Sequence, residues 1–182
     1  PWTAYQALRV LNPAPYCAYL NLPFAQVLSA SPERFLRVED GRVETKPIKG
    51  TRPRAGHPRL DAEHVRALRG SAKDRAENVM IVDLVRNDLG RVCEWGSVEV
   101  PALCAVEQHR GLVHLVSTVS GRLRPGTGWR ELIAATFPPG SVTGAPKLAA
   151  LDQIARRQTV PRGVYCRAVG WVDADTRQGQ RN

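Results

Sequence analysis

The dipeptide Asp40-Gly41 places the tightest local constraint on how this chain folds. It separates two segments with strand-like composition, residues 35–39 and 42–48. A two-residue hairpin turn needs a positive φ angle at both central residues, and Asp-Gly is one of the dipeptides that adopts it most readily. The sequence therefore predicts an antiparallel hairpin over residues 35–48.

The two ends of this hairpin carry groups of opposite charge. Glu33 lies just before the first strand, and Lys49 follows the second. Antiparallel pairing brings the two ends together, so we expect the carboxylate and the amine to face one pocket. A simple surface ion pair is the alternative interpretation.

A basic loop leaves the second strand of the hairpin. Residues 44–54 contain four cations, one glycine and two prolines. Backbone amides beside a glycine can approach an anionic oxygen closely, and guanidinium groups pair with carboxylate or phosphate. Lys49 stands between Ile48 and Gly50, where partial removal from water would favour a nucleophilic amine. The loop indicates a site for an anionic ligand, with a basic solvent-exposed loop as the alternative.

A long helix is predicted to begin after Ser71 and to continue to about residue 89. Ser71 and Asp74 have the spacing of a capping box. Residues 76–85 are apolar nearly all round, which is typical of a helix buried on every side.

Several carboxylates interrupt this apolar helix. Asp74, Glu77 and Asp88 fall on one face at 100° per residue. Buried carboxylates need a cation or a network of donors. A hard divalent ion such as Mg²⁺ and a structural Arg–Asp network are both open. We favour the metal for Glu77 and the network for Asp83.

Further candidates lie later in the chain. His114 is inside a predicted strand, residues 112–123, where a lone histidine is usually a satisfied core residue. After a predicted helix over residues 129–137, a loop rich in Gly, Ser and Thr leads into another helix, which is a weak anion-binding signal. Residues 163–172 are predicted to form a final strand, followed by a polar tail.

Composition limits the class of protein. The chain of 182 residues is long enough for one domain with a core. The net charge is +9, but the cations are spread along the chain without a DNA-binding motif, so we do not expect nucleic acid as a partner. The sequence lacks a signal peptide and an apolar run long enough to span a bilayer, so we expect a cytoplasmic protein without membrane contact. The mixture of helices and hairpins predicts an α+β fold.

Six short blocks of the sequence together carry a resemblance to a known protein family. They are Ser31-Pro32-Glu33-Arg34-Phe35, Pro47-Ile48-Lys49-Gly50-Thr51-Arg52-Pro53, Asp74-Arg75-Ala76-Glu77-Asn78, Asp83-Leu84-Val85-Arg86-Asn87-Asp88-Leu89-Gly90, Val113-His114-Leu115-Val116-Ser117 and Gly144-Ala145-Pro146-Lys147. Together, and in this order, the blocks resemble the catalytic domain of the chorismate-utilising enzymes. The resemblance covers nearly the whole chain.

The resemblance carries an expectation about the fold. It implies two mostly antiparallel β-sheets packed face to face, with helices outside and the active site between the sheets. It also implies that residues 1–182 are a partial chorismate-binding catalytic domain, incomplete at both ends. The family tends to have glycine where this chain has Arg167, and we expect that side chain to disturb the packing beside Tyr165.

The resemblance also implies roles for individual residues. Lys49 would attack C2 of chorismate, Glu33 would protonate the leaving C4 hydroxyl, and His114 would lie beside the substrate ring. The remaining matched residues would be substrate contacts at Gly50, Thr51, Ser141 and Tyr165, and a Mg²⁺ site at Glu77 with Asp74 nearby. The implied cofactor is Mg²⁺, and the implied partner is a glutamine amidotransferase (glutaminase) subunit or domain that supplies ammonia.

Lys49 separates the branches of this family. Its sequence context, Pro-Ile-Lys-Gly-Thr, is similar to the branch that makes 4-amino-4-deoxychorismate for para-aminobenzoate and folate. Anthranilate-forming members usually have alanine at the lysine position. The anthranilate and isochorismate branches remain alternatives, and a non-catalytic truncated remnant is an alternative of another class.

Overall fold

The structure is a computed structural model in which residues 1–173 are described. The polar tail predicted at the end of the chain falls largely on residues 174–182, which lie outside the described residues. Within residues 1–173, no helix is long and apolar enough to cross a membrane.

Helices and strands follow one another irregularly along the described residues. The helices are α1 (Trp2–Leu11), α2 (Pro58–Gly70), α3 (Ala72–Gly90), α4 (Trp129–Thr136), α5 (Gly140–Thr143) and α6 (Lys147–Arg157). The strands are β1 (Tyr16–Asn21), β2 (Gln26–Ser31), β3 (Arg34–Glu39), β4 (Arg42–Lys46), β5 (Ile48–Pro53), β6 (Glu99–Gln108) and β7 (Leu112–Arg122). The prediction of an α+β fold is confirmed.

Strand β7 is the central strand of a five-stranded sheet. Strands β4 and β5 pair with it one after the other along one edge, and β6 pairs along the other edge. Strand β3 extends the sheet beyond β4. Strands β1 and β2 form a separate two-stranded sheet that contacts α1. All of these pairings are antiparallel, as predicted.

The hairpin that joins β3 to β4 has the predicted turn. Asp40 and Gly41 have φ angles of 49° and 71°, the left-handed conformation that the turn requires. Glu39 and Arg42 pair across the first position of the ladder. The hairpin prediction is therefore correct in both its place and its turn residues.

Helices α2 and α3 cover one face of the large sheet. Leu68 of α2 packs against Val113 and Leu115 of β7, and residues of α3 pack around Val119 of the same strand. Neighbouring residues of a strand point to opposite faces. His114 therefore faces away from these two helices.

The prediction that α3 is buried on every side is wrong. Asn78, Ile81 and Val82 lie on its buried side, whereas Val79 and Met80 are 38% and 44% exposed. An apolar sequence shows which residues tolerate burial, but the neighbouring elements decide which side is covered.

The predicted strand over residues 163–172 does not form. Its first half makes turns in which the amides of Tyr165 and Arg167 bond to the carbonyls of Arg162 and Val164, at 2.9 and 3.1 Å. A strand needs a neighbour to satisfy its backbone groups. Among the described residues, no strand pairs with this segment.

A buried polar network ties α3 to the centre of the sheet. The fully buried Asn78 amide donates to the Leu115 carbonyl at 3.1 Å, and its oxygen accepts from the Ser117 hydroxyl. The amide of Cys104 donates to that same hydroxyl at 2.8 Å. One asparagine therefore joins α3, β7 and, through Ser117, β6.

Replacing Asn78 with leucine should destabilise the protein severely. The change leaves the Leu115 carbonyl and the Ser117 hydroxyl buried without this partner, so we expect a loss of about 3 kcal/mol in the free energy of unfolding. Urea denaturation measures it. Asn87→Leu, on the exposed side of the same helix, is the control and should change stability by less than about 0.5 kcal/mol. Equal effects of the two substitutions would contradict this account of the network.

Candidate active site

Strand β5 carries three consecutive candidate residues, Lys49, Gly50 and Thr51. Pro47 separates β5 from β4 because proline has no amide hydrogen to donate to the ladder. Its carbonyl still accepts from the Ser117 amide at 3.1 Å, so the chain stays attached to β7. The register also shifts between Ile48 and Thr51. Strand β5 thus continues the pairing of β4 along β7 after a break at Pro47.

Glu33 and Lys49 meet at one residue, Ser141 of α5. The Lys49 Nζ donates to the Ser141 carbonyl oxygen at 3.2 Å. The Glu33 carboxyl hydrogen-bonds with the Ser141 side chain and with the Ile48 backbone. The structure thus brings together the carboxylate and the amine that the hairpin placed at its two ends.

The environment of Glu33 favours a protonated carboxyl. Burial raises the pKa of Glu33 above its ordinary value, although the Ser141 hydrogen bond and the charge of Lys49 act in the opposite direction. A carboxylic acid that keeps its proton closer to neutral pH can act as a general acid.

Close packing against α3 positions the short helix that carries Ser141. Gly140 is buried, and a Cβ atom placed there would lie 2.3 Å from Leu84 Cδ2. A side chain at position 140 would require the Leu84 side chain to move. Gly140 thus allows α5, with Ser141, to lie directly against α3.

Gly50 faces the beginning of α3. Its φ angle is +90°, and a Cβ atom placed there would lie 2.9 Å from the Asp74 Cβ and 3.0 Å from Leu68. Only glycine combines this backbone conformation with so close an approach. Gly50 and Asp74 are therefore direct neighbours.

Asp74 has a cation beside it that sequence analysis did not assign. Arg52 donates to the Asp74 carboxylate at 2.8 Å. The Ser71 hydroxyl and Arg52 hold the pKa of Asp74 below its ordinary value. The prediction of a basic loop over residues 44–54 is wrong, because most of these residues belong to strands β4 and β5, and Arg52 lies in β5. Only the fold reveals which acid Arg52 pairs with.

The other acids of α3 differ in exposure and in the cations beside them. Glu77 is half-exposed, 4.0 Å from Lys73 one turn before it. Asp88 instead pairs with Lys147 of α6, and burial raises the pKa of Asp88 despite that partner. Asp83 pairs with Arg86 at 3.3 Å, as expected, although this pair is exposed. Among the described residues, no three His, Cys, Asp or Glu side chains could together hold a metal ion.

His114 is buried, with only 3% of its surface exposed, and lies opposite Thr51 in the β5–β7 ladder. The Thr51 hydroxyl and the His114 Nδ1 are 2.9 Å apart. Burial lowers the pKa of His114, and the adjacent His109 adds to that effect. The histidine is satisfied by a hydrogen bond, as the core interpretation expected, and that bond joins it to a candidate site residue.

Tyr165 is the candidate that the structure does not join to the others. It is 74% exposed and lines a cavity of about 420 Å³ with Phe137 and Val142. Neither Lys49 nor Glu33 is among the lining residues in the described part of the chain.

Arg167 has its own place beside this cavity. Its guanidinium lies over the Phe137 ring, 5.8 Å from the centroid, and its Nε donates to the Gly163 carbonyl at 3.0 Å. The long side chain at this position therefore stacks on an aromatic ring.

Comparisons with known proteins show the family and the fold of this chain. The chorismate binding enzyme family matches residues 1–179. The chain is 55% identical over 172 residues to the aminodeoxychorismate synthase of Streptomyces pristinaespiralis, covering 94% of this chain and 24% of that protein. It is 46% identical over 171 residues to aminodeoxychorismate synthase component 1 of Salmonella typhimurium, covering 94% and 38%. The crystal structure of anthranilate synthase component I from Streptococcus pneumoniae matches with a TM-score of 0.81 and 38% identity, over 91% of this chain and 36% of that chain.

The chain belongs to the chorismate binding enzyme family, as its six sequence blocks predicted. The two relatives that are aminodeoxychorismate synthases agree with the predicted similarity to that branch. The chain spans between about a quarter and two fifths of the length of these relatives.

Replacing Glu33 with glutamine should stabilise the protein near neutral pH. A folded-state pKa above the ordinary value means that stability is lost as pH rises from about 4.5 through the raised pKa. Glutamine keeps an acceptor for Ser141 and does not titrate. We expect Glu33→Gln to raise Tm by roughly 3 °C at pH 8, with no gain at pH 4.

Thermal melts of the wild type and of Glu33→Gln between pH 4 and pH 8 measure the difference in Tm. Glu39→Gln is the matched control, because Glu39 is an exposed glutamate at the end of β3, the strand that begins directly after Glu33. A gain for Glu33→Gln that does not change with pH would contradict the assignment of a raised pKa.

Proposed function

We propose that this chain carries the chorismate-binding part of an aminodeoxychorismate synthase. The reaction replaces the C4 hydroxyl of chorismate with an amino group and gives 4-amino-4-deoxychorismate, a precursor of para-aminobenzoate and folate. One observation carries the proposal, the meeting of the Lys49 amine and the Glu33 carboxyl at Ser141. The relatives with this activity in their names support the same branch.

The first half of the proposed reaction uses Lys49 and Glu33. After its ammonium group has lost a proton to solvent, the Lys49 amine forms a bond to C2, two ring double bonds shift, and the bond from C4 to its hydroxyl oxygen breaks. Hydroxide is a poor leaving group, so Glu33 gives its proton to the oxygen and water leaves. The covalent adduct divides one difficult substitution into two easier steps.

The second half restores both residues. Ammonia adds at C4, the double bonds shift back, and Lys49 leaves C2 as a neutral amine. The new nitrogen then carries a positive charge and returns one proton to the Glu33 carboxylate. Overall, chorismate and ammonia give 4-amino-4-deoxychorismate and water.

Other candidate residues would orient the substrate. We propose that Gly50, Thr51, Ser141 and Tyr165 contact its carboxylates and that His114, held by Thr51, lies beside the ring. Chorismate is a dianion, which suits a site with a basic strand. A contact from Tyr165 would require a different position of residues 163–167 from the one described above.

Glu77 and Asp74 are the residues that we propose for Mg²⁺. Two carboxylates fit this ion because Mg²⁺ commonly keeps water and substrate oxygens in its remaining positions. When bound, the ion would neutralise the ring carboxylate of the substrate. Arg52 already neutralises Asp74, so Glu77 is the stronger candidate ligand.

Ammonia would come from a glutamine amidotransferase subunit or domain, and we place the reaction in the cytoplasm. The relative from Salmonella typhimurium bears the name component 1, which supports a second component.

Anthranilate synthesis is the second candidate function. The fold match to anthranilate synthase component I favours it. Amination at C2 does not require a lysine nucleophile at that carbon, so Lys49 distinguishes the two reactions.

A product assay tests the proposal directly. The purified chain is incubated with chorismate, Mg²⁺ and ammonium, and the products are identified by mass spectrometry. We expect 4-amino-4-deoxychorismate from the wild type and a loss of roughly 1000-fold in Lys49→Ala. Arg59→Ala is the control, because the Arg59 side chain on α2 is 84% exposed and this variant should keep full activity.

Two results would contradict the proposal. One is anthranilate as the product, with full activity retained in Lys49→Ala. The other is the absence of any product together with a melting temperature that chorismate and Mg²⁺ do not change.

A further inference from the structure

A second histidine lies against the ring of His114. The His109 and His114 ring centroids are 5.2 Å apart, with an angle of 58° between the ring planes. His109 belongs to the turn between β6 and β7, and no part of the proposed reaction uses it.

The backbone holds His109 in place on both sides. Its amide donates to the Leu112 carbonyl at 2.8 Å, and its carbonyl accepts from the Arg54 Nη1 at 3.3 Å. The closed turn therefore fixes the backbone position from which the His109 ring reaches His114.

The charged and titratable groups around His114 come from several strands. Glu107 of β6 lies directly opposite it in the ladder, and Lys46 of β4 pairs with the Glu107 carboxylate. From β5, Thr51 contributes a neutral hydroxyl. Glu107 would attract a charged His114, but Lys46 offsets this attraction. When His109 is protonated, it is a second cation that repels a charged His114.

We propose that His109 is a positioning residue that keeps the His114 ring uncharged and packed beside Thr51. Two imidazolium rings at this separation repel each other, so the pair resists a second proton. An uncharged His114 keeps a nitrogen lone pair that can accept a proton. Its use in catalysis rests on the proposed function, in which His114 lies beside the substrate ring.

The test is an NMR titration of the histidine ring signals in the intact chain. The sequence has four histidines, which single substitutions assign. In His109→Phe, an aromatic ring remains against His114 but its charge is lost. We expect the midpoint of the His114 titration to rise by about one pH unit.

Two further variants test the direction of the shift in the His114 midpoint and provide a control. Glu107→Gln should move the His114 midpoint in the opposite direction, because it removes an attractive charge and leaves Lys46. His57→Phe changes an exposed histidine at the start of α2 and should leave the midpoint unchanged.

The outcome does not depend on enzymatic activity, so failure of the proposed function and failure of this inference are distinguishable. If His109→Phe does not fold, His109→Gln removes the charge with a smaller side chain and should raise the midpoint as well. The inference would be overturned by a His114 midpoint that stays the same in His109→Phe and His109→Gln. A midpoint that rises equally in His57→Phe would also overturn it.

Discussion

Strand β7 is paired along both of its edges, and this pairing sets the relative positions of residues that are far apart in the chain. It places Thr51 of β5 and Glu107 of β6 opposite the same residue, His114. On the other face, Asn78 attaches α3 to the strand at Leu115 and Ser117. The candidate site is therefore assembled around one strand, and a shift of its register by one residue would turn His114 into the core.

Electrostatic interactions around the site destabilise the folded protein at some residues and stabilise it at others. Glu33 is held where burial favours its protonated form, which destabilises its charged form and suits a proton donor. Asp74 and Asp88 are each matched with a cation, Arg52 and Lys147.

Sequence reasoning was most successful where local chemistry decides the structure. The turn at Asp40-Gly41 needs only two residues with positive φ, and the meeting of Glu33 with Lys49 follows from antiparallel pairing. It failed where distant partners decide. Ser141 is 92 residues from Lys49, and the sequence contains no signal that its carbonyl would receive that amine.

The errors have the same physical origin. Residues 76–85 of α3 are apolar nearly all round, yet Val79 and Met80 are exposed because nothing in the described structure packs against that side. Residues 163–172 have the composition of a strand, but no strand within residues 1–173 pairs with them. The partner of Asp88 was left open by the sequence, and the structure pairs it with Lys147 of another helix.

The sequence by itself determined the family, the α+β class, the hairpin and the identity of the chemical groups. These depend on residue type, short spacings and the order of the six blocks. Only the tertiary structure decided which charges neutralise one another, which side of α3 is covered and which histidine lies beside His114. Those outcomes depend on contacts between segments separated by tens of residues, and periodicity along one segment carries no information about its partner.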